Sequence, residues 1–304
     1  MSRSLIWFRR SLRLDDLQAF RKPVERGDQV ACVVVRDSRY RTGSGAFAAR
    51  TEMFDDALAS LAQDLKLLGG KLFVLDGKPE TEIPSFLSRN AITDLWFSDE
   101  IEPEGRKRDS TVRNEAELLG VSVHVSTDQY LFAPDAFVTG TGKPYSVFTP
   151  FKKRCLASLP VEPSAAPTEV RWLDVTEPCV DPKVPVSSGM FGAMQSSAAY
   201  DHYTDFCENK IQQYDDQRNF PAVNGTSQLS PHLHFGVVSP RRLLHKALTV
   251  IGDGASTYAS ELIWRDFYAQ VMYHRPDSVH GCFQRHWDAI PWQDNPRFVT
   301  AWME

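Results

Sequence analysis

Glu261, Trp264 and Arg265 stand at i, i+3 and i+4 in the run Glu261-Leu262-Ile263-Trp264-Arg265-Asp266-Phe267-Tyr268. On a helix, that spacing puts a carboxylate, an indole and a guanidinium on one face. A buried face rarely carries two charges beside a tryptophan unless they are paired. A solvated face rarely carries a tryptophan so close to Phe267 and Tyr268. Aromatic and cationic groups in one stripe suit stacking against a base or planar ring and steering of a phosphate. The plainer alternative is an amphipathic helix with an internal ion pair.

Upstream lies Thr226-Ser227-Gln228-Leu229-Ser230-Pro231, followed by His232 to Gly236 and by Ser239-Pro240. Ser230-Pro231 and Ser239-Pro240 each read as a helix opening, with a hydroxyl at the N-cap and proline at N1. The hydroxyl and amide donors clustered there would suit a phosphate at the positive end of a helix. Two ordinary caps in a helical region would look the same.

The elements that must position these residues fall into two kinds. Apolar, β-branched runs at Ser4–Arg9, Gln29–Arg36, Lys71–Leu75, Asp94–Phe97 and Val121–Val125 read as buried parallel strands. Helices lie between them. The clearest carries Phe54, Leu58, Leu61, Leu65 and Leu68 and stops at Gly69-Gly70; another runs from about Pro103 to Leu119. Alternating strands and helices predict an α/β domain on a doubly wound parallel sheet. The first strand is not followed by GxGxxG, which argues against a dinucleotide site of that type. Gly140-Thr141-Gly142-Lys143-Pro144 reads as a turn and Thr149-Pro150 as a helix opening. The next helix carries Lys152, Lys153 and Arg154, a solvated face on this reading. Residues 159 to 188 have the composition of a linker. The remainder is all-α, its first helix spanning about Ala198 to Gln213. The expected division is 1–130, 131–188 and 189–304.

The 304 residues suffice for two domains, and 42% hydrophobic with 24% charged residues is ordinary for a folded globular protein. With a net charge of −5, any nucleic-acid contact must come from a local basic patch. The five cysteines are scattered without a CxxC pair, which argues for free thiols over disulfides, zinc or iron–sulfur ligation. No signal peptide and no membrane-spanning apolar run is apparent, so the expected location is cytoplasmic. A serine–histidine–aspartate set and a catalytic carboxylate pair are missing as well.

The Thr226–Ser230 run and the Glu261–Phe267 run resemble the TSxLSP and ExxWRxF segments of the DNA photolyase/cryptochrome family. Trp7-Phe8-Arg9-Arg10-Ser11-Leu12-Arg13, Tyr145 to Phe151, and Trp292-Gln293-Asp294-Asn295-Pro296 match in the family's order. The resemblance implies FAD as cofactor and repair of cyclobutane pyrimidine dimers in DNA, driven by light and an electron from the reduced flavin. A monomeric protein is expected. It also implies a second, light-harvesting chromophore between the domains, folate or deazaflavin being left open. Thr226, Ser227, Gln228, Leu229 and Ser230 would hold the flavin phosphates, although Gln228 replaces the usual arginine and lacks its charge. Tyr214 would contact the flavin, and Arg218 would stand near it and the DNA-facing rim. Glu261 would bond the dimer, Trp264 would stack on the flipped bases, and Arg265 would stay near the flavin or a phosphate. Trp292 would be the outer tryptophan of the electron-transfer chain. Arg9, Arg10 and Arg13 are read as strand-end charges, at least two of them tying the domains together. The family's GxTGxPxxDA-type segment lies beyond Glu304, so the flavin domain is expected to be truncated, with apolar helix faces uncovered. A blue-light receptor without repair, or an inactive shortened member, remains open.

Overall fold

A computed structural model describes residues 1–37, 39, 46–180, 194–291, 293 and 295–303. Five parallel strands, β1 (Arg3–Phe8), β2 (Gln29–Arg36), β3 (Leu72–Asp76), β4 (Asp94–Ser98) and β5 (Ser122–Ser126), are ordered β3-β2-β1-β4-β5. The chain winds one way from β1 through β2 to β3, then crosses back over β1 to β4 and β5. This reversal opens a crevice at the carboxyl ends of β1 and β4.

The period-two alternation of side chains splits the core in two. Ile6 and Phe8 of β1 face α1 (Gln18–Glu25) and α2 (Ala46–Leu67), packing with Phe20, Leu58, Leu61 and Leu65. Leu5 and Trp7 face α3 (Pro79–Arg89) and α4 (Pro103–Leu118), packing with Ile83, Phe86 and Val112. β1 to β4 are apolar on both faces because both are covered, while the edge strand β5 stays partly exposed.

The segment expected to be a linker contributes to this sheet. β6 (Arg171–Trp172) pairs in parallel with Gln29 and Val30, the part of β2 that lies before its pairing with β3 begins at Cys32. Val74 donates to the Pro178 carbonyl and Val180 to that of Leu72, covering the outer edge of β3. An uncovered parallel edge would be open to pairing with another chain.

The helical half comprises α5 (Phe148–Ser158), α6 (Ser196–Asn209), α7 (Tyr214–Gln217), α8 (Ser230–Phe235), α9 (Pro240–Leu248), α10 (Asp253–His274) and α11 (Pro296–Met303). α10 is its axis and packs against α5, α7 and α9. Tyr258, Leu262, Ile263 and Phe267 of α10 meet Phe151, Tyr203, Phe206 and Leu243 in one core. α11 has no buried residue; Phe298, Val299, Trp302 and Met303 are exposed. Among the described residues, no helix is long and apolar enough to cross a membrane.

The two halves are locked by buried ionic groups with full sets of partners. Arg13 is wholly buried and donates to the carbonyls of Asp15, Asp16, Asp128 and Gly236 at 2.8–3.1 Å. Arg241 donates to the Asp16 carboxylate at 2.8 Å, and Tyr200 to that of Asp15 at 2.8 Å. Charges buried with so many bonds stabilise one docking geometry, since removing a partner would strand the other. Gly236 adds a steric requirement. Its φ is +67°, and a Cβ there would overlap the Arg10 carbonyl and the Ser11 Cα.

Candidate functional site

α10 carries Glu261, Trp264 and Arg265 as expected, but their partners diverge. Glu261 accepts from Arg218 Nη1 at 2.5 Å. The Arg218 guanidinium also lies 5.4 Å from the Tyr214 ring, and the Glu261 bond pushes the arginine pKa up. Tyr214 is itself buried, which raises its phenol pKa. The three residues thus form one ion-paired corner where α7 meets α10.

Trp264 belongs to an aromatic stack. The Phe148 ring, at the start of α5, lies 3.5 Å from the indole centroid with 7° between planes. Tyr268, one turn along α10, is tilted by 21° at 5.5 Å and is exposed. Phe267 meets the indole edge-on at 5.4 Å. Phe148 thus covers one face of the indole, and the ledge opens to solvent at Tyr268.

Arg265 turns the other way. Its guanidinium donates to the Gln129 carbonyl and, at 3.2 Å, to that of Leu233, and it lies 4.6 Å from the Tyr130 ring. Its donors clamp α10 to Gln129, just after β5, and to α8, so its contacts are structural. The family resemblance implies a place beside the flavin or a phosphate for this side chain.

The Thr226–Ser230 run forms a hydroxyl-lined ledge under this corner. Ser227 is buried and its Oγ lies 3.0 Å from the Tyr258 hydroxyl; its carbonyl faces His202 Nε2 at 2.9 Å. Leu229 is buried beneath, while Gln228 is exposed at φ +51° and bonds Asn224 at 3.1 Å. Ser239 caps α9 by accepting from the Arg242 N–H, but the matching cap at Ser230 does not form. α8 starts at Ser230 itself, with Leu229 in the cap position, so the Ser230 hydroxyl stays exposed. Among the described residues, no backbone N–H from Thr226 to Ser230 donates to another backbone carbonyl. The first turn of α8 has no acidic residue. Backbone amides without backbone acceptors, beside the Thr226 and Ser230 hydroxyls, fit an anionic group such as a phosphate. Trp292 lies outside the described residues.

A cavity of about 460 Å³ opens at the carboxyl ends of the strands, between Trp7, Arg10, Asp37 and Glu100 of the sheet half and His234 and Phe235 of α8. Arg10 crosses it, bonding Glu102 at 3.1 Å and facing His234 Nδ1 at 3.3 Å. Burial and the Arg10 charge push the His234 pKa down to about 4, so the ring is neutral near pH 7. Arg10 and Arg13 therefore both reach the helical half, whereas Arg9 stays in the sheet half on Asp109 and the Ser98 carbonyl.

Residues 4–169 match the profile of DNA photolyase, and residues 258–304 that of the FAD binding domain of DNA photolyase. The chain belongs to the DNA photolyase family. It is 30% identical to a deoxyribodipyrimidine photo-lyase of a Synechococcus species, over 99% of this chain and 66% of that protein. The Escherichia coli deoxyribodipyrimidine photo-lyase is 32% identical over 100% of this chain and 68% of its own length. A bacterial class III photolyase from Agrobacterium tumefaciens superposes with a TM-score of 0.86 at 25% identity, covering 99% of this chain and 65% of that one. This photolyase-family chain thus spans about two thirds of the length of its relatives.

Three contributors were not assigned a role from sequence. Phe148 lies in the Tyr145–Phe151 motif, but nothing in the motif says which ring it meets. Tyr258 precedes Glu261 by three residues, a helical spacing that could have placed it under the same face. His234 lies in a run whose sequence signals mark only helix boundaries.

Proposed function

We propose that this chain carries the lesion-facing and phosphate-holding part of a light-driven cyclobutane pyrimidine dimer photolyase. The observation that supports the reading best is the Phe148–Trp264–Tyr268 stack beside the Arg218–Glu261 pair, on the helix matched to the FAD binding domain. Reduced FAD, when bound, would supply on excitation by blue light the electron that opens the dimer's cyclobutane ring. The Thr226, Ser227 and Ser230 hydroxyls and the neighbouring N–H groups would hold its phosphates, flanked by Gln228 and supported by Leu229. Tyr214 would pack beside it. Arg218 orients the Glu261 carboxylate toward a hydrogen-bonding edge of the flipped bases. The aromatic ledge offers them stacking worth about 1–3 kcal/mol per base, offsetting the few kcal/mol that extrusion from the duplex costs. The cavity at the strand ends would take the second chromophore, facing neutral His234 and Arg10.

A blue-light receptor without repair is the competing reading. It is favoured by Phe148, which covers an indole face that a base could take. The discriminating experiment illuminates FAD-loaded protein with ultraviolet-irradiated DNA and counts remaining dimers. Repair predicts light-dependent loss that Trp264→Ala reduces at least tenfold. Flavin uptake without dimer loss would refute the repair reading.

A further inference from the structure

Asn224 is exposed in the loop that leads from α7 into the Thr226–Ser230 ledge, and of the chain's asparagines it is the one followed by glycine. Without a Cβ, Gly225 leaves its backbone nitrogen open to the preceding side chain. That N–H reaches across a three-residue turn to the Val223 carbonyl at 2.8 Å, outside any regular element. Asn90, Asn209 and Asn219 instead have their side-chain amides tied back one helical turn, to Phe86, Asp205 and Asp215. Asn114 lies inside α4, and Asn295 precedes a proline, which has no N–H.

The Asn224 carboxamide is also activated. Gln228, at φ +51°, donates from Nε2 to Asn224 Oδ1 at 3.1 Å. A donor therefore faces the oxygen on which charge develops when a nucleophile attacks Cγ. The glycine is fixed by packing, since a Cβ at position 225 would overlap the Gln217 side chain. We infer that Asn224 is a site of spontaneous deamidation and that its conversion weakens the hold of the ledge on phosphate, the second part resting on the flavin reading above. The Gly225 nitrogen bonds Asn224 Cγ and passes its proton through solvent to Nδ2, and the Cγ–Nδ2 bond breaks to release ammonia. Water then opens the five-membered imide at either carbonyl, leaving aspartate or isoaspartate. One water enters and one ammonia departs, with no change of oxidation state. Either product sets a new carboxylate beside Gln228, and isoaspartate also lengthens the backbone by one atom. The added charge repels a phosphate on the ledge, and salt screens that repulsion.

In the test, purified protein is held at mildly alkaline pH and sampled over time. Each sample is peptide-mapped by mass spectrometry and titrated with FAD by flavin fluorescence, beside Asn224→Gln and Asn224→Asp. Glutamine keeps an amide, but its extra methylene disfavours the five-membered ring. The amide-to-acid mass shift should accumulate first at Asn224, as aspartate and isoaspartate, with Asn90, Asn114, Asn209 and Asn219 intact. Aged wild type and fresh N224D should bind FAD at least about threefold more weakly than fresh wild type, a deficit that shrinks between about 50 and 200 mM salt. N224Q should not weaken with age. Conversion of another asparagine before Asn224 overturns the site. Conversion at Asn224 without loss of FAD affinity overturns its effect on the ledge. Fresh wild type that takes up no FAD refutes the flavin reading and that effect with it, while the peptide map still decides the deamidation by itself.

Discussion

Asp266→Asn should stabilise the protein at alkaline pH. Asp266 is only 4% exposed; its Oδ1 accepts from the Phe132 N–H at 3.0 Å, while Oδ2 has no partner. One turn on, Gln270 donates to the Tyr145 carbonyl at 2.5 Å, but its Oε1 is likewise unpartnered. Two buried acceptors thus share one helix face, with a donor for neither. Burial pushes the Asp266 pKa up to about 7 against the opposing pull of Arg265, the Phe132 and Leu131 amides and Arg241. Cys155 and Tyr130 also feel its charge, and both are raised mainly by burial. The folded state therefore binds this proton more tightly than the unfolded chain, whose aspartates titrate near 3.9. The associated stability is full below about pH 4 and is lost as pH rises through about 7. A rise from 3.8 to about 7 corresponds to about 4 kcal/mol at most. Asparagine keeps the acceptor for Phe132, cannot ionise, and offers an N–H toward Gln270. Urea midpoints at pH 5 and pH 8 provide the assay. Wild type should lose stability between them; the variant should lose much less and be the more stable at pH 8. An unaltered pH dependence, or a variant weaker than wild type at pH 8, would refute a buried, proton-holding Asp266.

Gly236→Ala should cost roughly 2–4 kcal/mol, because the added Cβ needs both a left-handed backbone and space occupied by the Arg10 carbonyl. A thermal midpoint within a degree of wild type would contradict the close approach. Phe148→Leu keeps apolar volume but removes the stack, and should cost about 1 kcal/mol. It should also lower discrimination between irradiated and intact DNA severalfold; undiminished discrimination would reduce Phe148 to packing. Arg218→Ala frees the Glu261 carboxylate while leaving α10 buried as before. It should leave the thermal midpoint within a few degrees, as expected of a partly exposed pair, while repair falls at least tenfold; full repair would dismiss the orienting role.

β1 to β4 were legible because each is an apolar run buried on both faces, a pattern few other structures require, whereas β5, partly exposed at the sheet edge, was legible from its alternating valines. α2 was legible from Leu58, Leu61 and Leu65, which recur at helical spacing on the face that meets the sheet. β6 was not, since two residues carry no period, and its place depends on the edge that the late start of β3 leaves open. The expected helix to Gln213 breaks at Lys210, where φ is −129°, and ends in a tight turn over Ile211–Gln213. Glu261 and Trp264 could be picked out because charge beside an indole is unusual on a helix face. Their partners could not: Arg218 is 43 residues from Glu261, and Phe148 meets Trp264 only once α5 packs on α10. Arg265 shares their spacing, but contacts with Gln129 and Leu233 decide where its donors go. Such long-range pairings follow from how elements pack, which local spacing does not encode.

The central claim is that the hydroxyl ledge and the α7–α10 corner hold a flavin, and titration of the purified protein with FAD, followed by flavin fluorescence, tests it most directly. Saturable binding at one FAD per chain, weakened at least tenfold when Ser227 and Ser230 are both replaced by alanine, is the predicted result. Absence of saturable binding, or binding indifferent to those two serines, would contradict it.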